Sequence, residues 1–456
     1  MKKIIPYSTL PKLALALSLI FITGFVQKSN AQEIITIQQA IEETLHNNLQ
    51  VKKSQYSESM SEENLKQAKL SLYPTLNGGI DQNMRWGRNN LGNSGIYSNT
   101  QSYGFTPGLS AGVDLFNGLS KINQIRQNKI LLEAGKANTD KIRNDLILQV
   151  ITSYMEILYN KDRLSAAKQQ LSVAEQQQKQ QQELLDVGNK TLADLAESKS
   201  QTATAQLDVT TAENALSISY LTLAQLMDIP SSTKYDVQAP VLSSFNNPTV
   251  NYNPEEVYSD AIRLFPDIKL AALQTASAKK DIDIAKGSYY PKLNLSGSYG
   301  SYFNYNYNLP ANTQNESFGN QIKNNVSKGI GIGLSIPIFN GSQARIGVRK
   351  AKINLMQYEA DEQLAKNNLN KIIYQAVADL KAAKSTFEST TNTFNARKEA
   401  FSVIEQRYNV GLVNSLDYNT SLTNKNRAEI DMIRAKYDLL FKAKVIDYYL
   451  GKQIVF

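Results

Sequence analysis

Ile373, Leu380, Phe387, Phe394, Phe401 and Tyr408 recur at strict seven-residue spacing. They lie inside a stretch, Gly341 to Leu450, that reads as one very long helix, a sharp tip at Val410-Gly411 and a return helix. A seven-residue apolar repeat keeps one stripe against a partner helix only if the two supercoil left-handedly. At 1.5 Å per residue the helix from about Gly341 to Tyr408 would be roughly 100 Å long. That is too long for the core of an ordinary globular domain. It is long enough to cross a compartment.

The same pattern occurs earlier in the chain. Val150, Ile157, Leu164, Leu171, Gln178 and Leu185 sit 223 residues before the first set. Leu72-Tyr73-Pro74-Thr75-Leu76 matches Tyr289-Tyr290-Pro291-Lys292-Leu293. Val113-Asp114-Leu115-Phe116-Asn117-Gly118 matches Ile336-Pro337-Ile338-Phe339-Asn340-Gly341. Asp186-Val187-Gly188 and Asp194 match Asn409-Val410-Gly411 and Asp417. The chain therefore reads as two copies of one unit, a fold-defining internal repeat. The first return helix carries Leu195, Thr202, Val209, Leu216 and Leu223, with small residues Ser198, Ala205, Ala212 and Ser219 filling the other half of the seam. Small seam residues let helices approach closely.

Each copy predicts a first helix (37–72 or 254–288), ended by Tyr-Pro because proline bars the preceding residue from helix. Two strands and a polar loop follow, then the long helix, the tip and the return helix. The expected domains are residues 32–228, with strands in 76–116 and a helix hairpin over 119–228, and residues 254–456, with strands in 292–340 and a hairpin over 341–450. Residues 229–253, rich in proline, read as an irregular or lightly structured connector.

The strands alternate. Ile330, Ile332, Leu334, Ile336 and Ile338 alternate with Gly329, Gly331, Gly333, Ser335 and Pro337. Phe105, Pro107, Leu109, Ala111, Val113 and Leu115 alternate with Gly104, Thr106, Gly108, Ser110, Gly112 and Asp114. Trp86, Tyr299, Tyr302, Phe303, Tyr305 and Tyr307 mark the other two strands, 76–88 and 293–307. Such aromatic density suits the interfacial girdle of a membrane barrel. The loops 89–102 and 308–327 are rich in Asn, Ser and Gly and read as solvated. Alternation alone also fits a soluble two-sheet domain with one buried face. Four strands cannot close a membrane barrel, and an open edge cannot face lipid. Strands in a membrane would thus need several chains to share one barrel.

Met1 to Ala31 reads as a secretory signal peptide: Lys2, Lys3 and Lys12, an apolar run from Leu13 to Val26, then Ser29-Asn30-Ala31. A membrane anchor is the alternative, but the run is short for a span. The 456 residues carry a formal charge of +8, about +4 without the leader, too mild to argue for nucleic acid. There is no Cys, hence no disulfide, thiolate metal site or cysteine nucleophile. The single His, His46, reads as a solvated residue. No phosphate loop, nucleophile motif or metal-ligand spacing is present, so neither an enzyme nor a cofactor is expected. No apolar run after the leader is long enough for a transmembrane helix. The Gln run 176–182 reads as a polar helix surface, which could equally line water.

Helix, Tyr-Pro, strand pair, Phe-Asn-Gly, long helix, Val-Gly tip and return helix, in that order twice, resemble the TolC-type outer-membrane efflux proteins. The resemblance covers almost the whole mature chain. It implies a mainly α fold with a transmembrane β part. Three chains would share a twelve-stranded barrel in outer-membrane lipid, and their helices would form a hollow periplasmic cylinder. It implies an exit duct served by a periplasmic adaptor and an inner-membrane transporter. The alternative class is a structural or adhesive coiled-coil spacer of the envelope, but a spacer would not need a strand insert in both copies.

The resemblance also assigns roles at the tips. Asp417 matches an aspartate ringing the periplasmic constriction. A second aspartate one turn on is Thr420 here, and a latch arginine is Val413, so the charged gate is thinner. Tyr408 matches a latch tyrosine and Asp194 its acidic partner. Asp194 and Asp417 also fit helix capping, through Thr191 and Asn414, and both roles can hold together. Gly188 and Gly411 fit left-handed turn positions. Val187, Gly188, Val410, Gly411 and Leu412 form the tips that would meet the adaptor.

Overall fold

The computed structural model describes residues 33–90, 97–232, 234–239, 251–309, 313–452 and 454. The expected leader, 1–31, and residues 240–250 of the connector lie outside these. In chain order come β1 (Glu33–Ile35), α1 (Ile37–Asn47), α2 (Leu49–Leu70), β2 (Thr75–Asn90) and β3 (Tyr97–Asn117). Next are α3 (Ser120–Asp186), α4 (Leu192–Met227), β4 (Tyr235–Val237), α5 (Pro254–Leu264) and α6 (Pro266–Lys286). A 3-10 turn at Gly287–Tyr289 precedes β5 (Lys292–Gly300), β6 (Phe303–Asn306), α7 (Phe318–Asn324) and β7 (Ser327–Ser335). The chain ends with α8 (Gln343–Asn409) and α9 (Ser415–Tyr449).

The long helices stand where the heptads put them. α3 and α8 are each 67 residues, about 100 Å at 1.5 Å per residue. Their lengths follow from uninterrupted heptads free of proline. The structure divides into two compact units. One takes in the described parts of Met1–Glu43 and Val150–Asn246; the other takes in Thr44–Gln149 and Asn247–Ile454.

In the first unit, Val150 and Ile157 of α3 are buried, as are Leu195, Ser198, Val209, Ala212, Ser219 and Leu223 of α4. Ala167, Val209 and Ala212 form a cluster onto which Leu164 and Leu171 pack. The Thr202 hydroxyl reaches across the seam to the Ala174 carbonyl at 3.2 Å, which shows how closely small residues let the backbones approach. β1 and β4 pair in parallel. The connector, expected as irregular or lightly structured, carries this three-residue strand. The Tyr154 hydroxyl lies 2.9 Å from the carbonyls of both Ile35 and Gln238, fastening that strand pair to α3.

In the second unit, Ile373, Leu380, Phe401 and Tyr408 of α8 are buried. Ala376, Leu380, Ala383, Leu439 and Ile446 form one cluster between α8 and α9, with Phe387 packed on it. The first helix of each half is not continuous, contrary to the sequence expectation. Asn48 interrupts the earlier one, its Oδ1 accepting from the Gln50 N–H at 2.8 Å. Pro266 starts a new helix in the later one, with Phe265 extended before it, because proline excludes its predecessor from helix.

All strands from β2 to β7 except β4 join one antiparallel sheet, in the order β2-β3-β5-β7, with β6 also paired to β3. The expected third strand is broken into β5 and β6 at Ser301-Tyr302. The last strand stops at Ser335, short of Ile336, Pro337 and Ile338. Pro337 lacks the N–H that would continue the ladder. A bulge between Asp114 and Phe116 inserts Leu115. It hands the apolar register from Leu115, where alternation placed it, to Phe116, which pairs with Leu293.

The described part of the loop 308–327 is mostly exposed, as expected, and also holds α7. Phe318 packs on Phe105 and Phe303, at centroid distances of 5.6 and 5.0 Å. Phe303 is therefore buried, whereas Trp86, Tyr299, Tyr302, Tyr305 and Tyr307 are exposed.

Candidate functional site

Residues directly opposite in an antiparallel pair share a face, so the register sorts the sheet. Leu76 pairs with Ala111, Ile80 with Pro107, Leu109 with Tyr299, and Leu295 with both Val113 and Ile332. All lie on one face. That face is open to solvent in the single chain: Ile330 is 87% exposed and Leu76 72%. The opposite face carries Asn77, Asp81, Arg85, Ser110, Asp114, Asn294, Ser296 and the glycines of β7. One wall is thus suited to hydrocarbon and the other to water. The sheet also ends on two strands, β2 and β7, that each pair on one side only.

At the first tip, α3 closes on Gly188, whose φ is +78°. The Asn189 N–H donates to the Leu184 carbonyl at 2.8 Å, and the Gly188 N–H to Leu185 at 2.9 Å. This paired closure uses a left-handed residue, which glycine adopts without a Cβ clash. α4 then opens on a capping box. The Asp194 N–H donates to Thr191 Oγ1 at 3.2 Å, while Asp194 Oδ2 accepts from the Thr191 N–H at 3.2 Å and its hydroxyl at 2.8 Å. Capping is therefore a role the Asp194 carboxylate performs in this structure. Val187 and Leu192 are exposed beside it.

The second tip repeats the turn. Gly411 also has a φ of +78°, and the Leu412 N–H donates to the Arg407 carbonyl at 2.9 Å. Asn414 caps α9 through the Asp417 N–H at 2.8 Å. Asp417 itself points to the exposed side of the first turn. Val410, Leu412 and Leu416 are exposed, at 70–76%.

Tyr408 is buried. Its ring stacks on Tyr418, which in turn meets Phe401 at 5.4 Å between centroids, with Ile404 and Leu422 packed around them. Burial pushes the Tyr418 hydroxyl up to about 12. The structure thus gathers Tyr408, Val410, Gly411, Leu412 and Asp417 around one turn, and Val187, Gly188 and Asp194 around the other.

Sequence reasoning missed three features. Tyr418 completes the aromatic cluster; its signal was the position directly after Asp417, on the seam side of α9. Asp236 accepts from Lys161 Nζ at 2.7 and 2.9 Å, from the Tyr220 hydroxyl at 2.6 Å and from the Val237 N–H at 2.7 Å. Partial burial alone would raise its pKa, but these donors hold it below the ordinary carboxylate range. No local pattern announces that meeting of α3, α4 and β4. The third is Gln181, expected on a polar surface. It is buried, and among the described residues neither end of its amide has a hydrogen-bond partner.

Among the described residues no group of three or more acidic, His or Cys side chains could hold a metal ion. No helix among them is long and apolar enough to cross a membrane.

The sequence profile of the outer membrane efflux protein family matches residues 40–228 and 257–452. The chain is 20% identical over 428 residues to the outer membrane efflux protein BepC of Brucella suis, covering 92% of this chain and 86% of that one. It is 23% identical over 462 residues to the outer membrane protein TolC of Escherichia coli, covering 99% and 87%. Its fold is similar to the crystal structure of the CmeC outer membrane channel of Campylobacter jejuni, with a TM-score of 0.76 and 18% identity over 91% of this chain and 85% of that one. With the family profile spread over most of its length, the chain belongs to the outer membrane efflux proteins.

Proposed function

We propose that three copies of this chain form one exit duct through the outer membrane and periplasm. The observation that carries this reading is the sheet: a four-strand path with an exposed apolar face and an unpaired edge at each end. Unpaired backbone groups cannot face lipid, and only closed barrels solve that with strands. Pairing β7 of one copy with β2 of the next closes a ring of twelve strands across three copies. The Asn, Ser and Gly face then lines the water-filled passage. The two-repeat organisation accounts for why each half brings its own strands and its own long hairpin.

In this reading the helical hairpins extend the passage toward the inner membrane. The exposed apolar tips, Val187 and Gly188 in one copy of the repeat and Val410, Gly411 and Leu412 in the other, meet a periplasmic adaptor. Asp417 lines the resting constriction, with Tyr408 and Asp194 holding the tips in place. The chain itself consumes no energy, and an inner-membrane transporter of an efflux or type I secretion system selects the cargo. The connector and chain ends surround the cylinder as an equatorial belt.

The natural absence of Cys makes a direct test clean. Single cysteines introduced in pairs, one within 75–79 of β2 and one within 331–335 of β7, are expected to give disulfide-linked trimers in outer-membrane fractions. Soluble monomers from the periplasm with no cross-linked species would overturn the reading.

A further inference from the structure

The apolar face of the sheet is not uniform. Ala111 pairs with Gly297, and this small pair is flanked in its own cross-strand row by Leu76 and Ile330. Leu109 and Tyr299 stand on the neighbouring row. The result is a bowl of about 570 Å³ lined by these residues and by Lys328. A Cβ on Gly297 would meet nothing closer than the Gly329 carbonyl at 3.9 Å, so the floor is open rather than filled.

Lys328 is the charged group on the rim. It pairs with Tyr299 across β5 and β7, and its Nζ lies 5.8 Å from the Tyr299 ring centre. No carboxylate lines the bowl. The two acidic residues of the sheet strands, Asp81 and Asp114, sit on the opposite face. Lys323 stands at the same end of β5: it follows Ile322, whose carbonyl accepts from the Ser301 hydroxyl at 2.7 Å. An apolar depression with the Lys328 amine on its rim fits an acyl chain with an anionic head. Lysine can lay its stem on apolar surface and present its amine to a charged partner.

We infer that this bowl is a binding site for an anionic, phosphate-bearing lipid, one per chain, with the acyl chain over Ala111 and Gly297 and the phosphate at Lys328. The inference rests on the barrel reading above, since only a membrane-embedded sheet presents this face to lipid.

Native mass spectrometry of the full-length protein in detergent tests it, with dioleoyl phosphatidylglycerol and dioleoyl phosphatidylcholine as probes. Phosphatidylglycerol is expected to remain as up to three adducts on the trimer, with phosphatidylcholine held at least tenfold more weakly. Lys328→Gln should remove that preference. Ala111→Leu, which fills the floor of the bowl, should weaken phosphatidylglycerol while leaving the lysine in place. Equal retention of both lipids, or an unchanged preference in Lys328→Gln, would overturn the lipid site while the trimer mass in the same spectra upholds the barrel. Monomer alone would overturn the barrel and the site with it. A doubled assembly that excludes lipid would show a second copy on this face instead.

Discussion

The ring of Tyr408 lies on that of Tyr418, centroids 4.5 Å apart and planes 26° from parallel. This stack joins the end of α8 to the first turn of α9, directly behind the exposed Asp417. Aromatic packing thus ties the two helices together at this tip. Tyr418→Ala should cost the hairpin about 3–5 kcal/mol, the usual range for removing a buried ring. Limited proteolysis between 409 and 414 is expected to accelerate, while Tyr418→Phe, which keeps the stack, should not change it.

The same residue gives a pH signature. The Tyr418 pKa is pushed up to about 12 by burial, against about 10 in an unfolded chain. Between those values the unfolded state loses its proton and the folded state keeps it. Stability is therefore full below about pH 10 and falls as pH rises toward 12. Tyr235, buried and also raised to about 12, acts in the same direction. Thermal unfolding followed from pH 9 to 12 should fall less steeply in Tyr418→Phe than in the natural protein.

Asp236 behaves oppositely. Held below the ordinary carboxylate range by Lys161, Tyr220 and the Val237 amide, it contributes stability above about pH 4 that is lost as pH falls through its lowered folded value. Asp236→Ala removes the shared acceptor of three donors and is expected to cost about 1–3 kcal/mol in urea denaturation. Its effect should shrink toward pH 2, where the natural carboxylate is itself protonated.

Gln181 is a residue the protein would fold better without. Its buried amide lacks partners at both ends among the described residues, and an unpartnered buried polar group costs about 1–3 kcal/mol. Gln181→Leu should raise the melting temperature. The matching position of the second copy, Ile404, packs against the Phe401, Tyr408 and Tyr418 cluster. The first hairpin thus carries an unpartnered amide where the second carries apolar packing, and an efflux assay on Gln181→Leu would show whether that amide serves opening. A lower melting temperature would refute the stability claim.

Matching glycines should not respond alike. Gly118 has a φ of +67° and sits against the Gly287 backbone, where a Cβ would collide. Gly341, its repeat partner, has a φ of +60° with nothing near. Gly118→Ala should sharply reduce the folded protein recovered from outer-membrane fractions, whereas Gly341→Ala should cost only about 1–2 kcal/mol of backbone strain. For the proposed constriction, Asp417→Ala should alter cation block in single-channel recording, and unchanged block would remove Asp417 from the gate.

Much of this architecture was legible in the residues. Heptads such as Ile373 to Tyr408 and Val150 to Leu185 report their partner through periodicity alone, and Gly188 and Gly411 report their turns through chemistry. What stayed hidden depends on contacts between distant segments. The bulge at Leu115 is a register event, visible only once β5 pairs with β3. The Asp236 cluster gathers residues from α3, α4 and β4. α7 formed in a run that composition marks as loop, because Phe318 found Phe105 and Phe303.

One small feature beside β6 bears on the proposed assembly. β6 would offer its free side to any passing strand, but Gln321 exchanges both hydrogen bonds with Asn304, and Asn315 does the same with Asn306. Two carboxamides imitate two peptide groups and seal that flank from within the subunit. In the proposed trimer, pairing between copies would be left to the lower flanks of β2 and β7, and a neighbour of the same kind would satisfy them in rotation, closing the sheet as a ring.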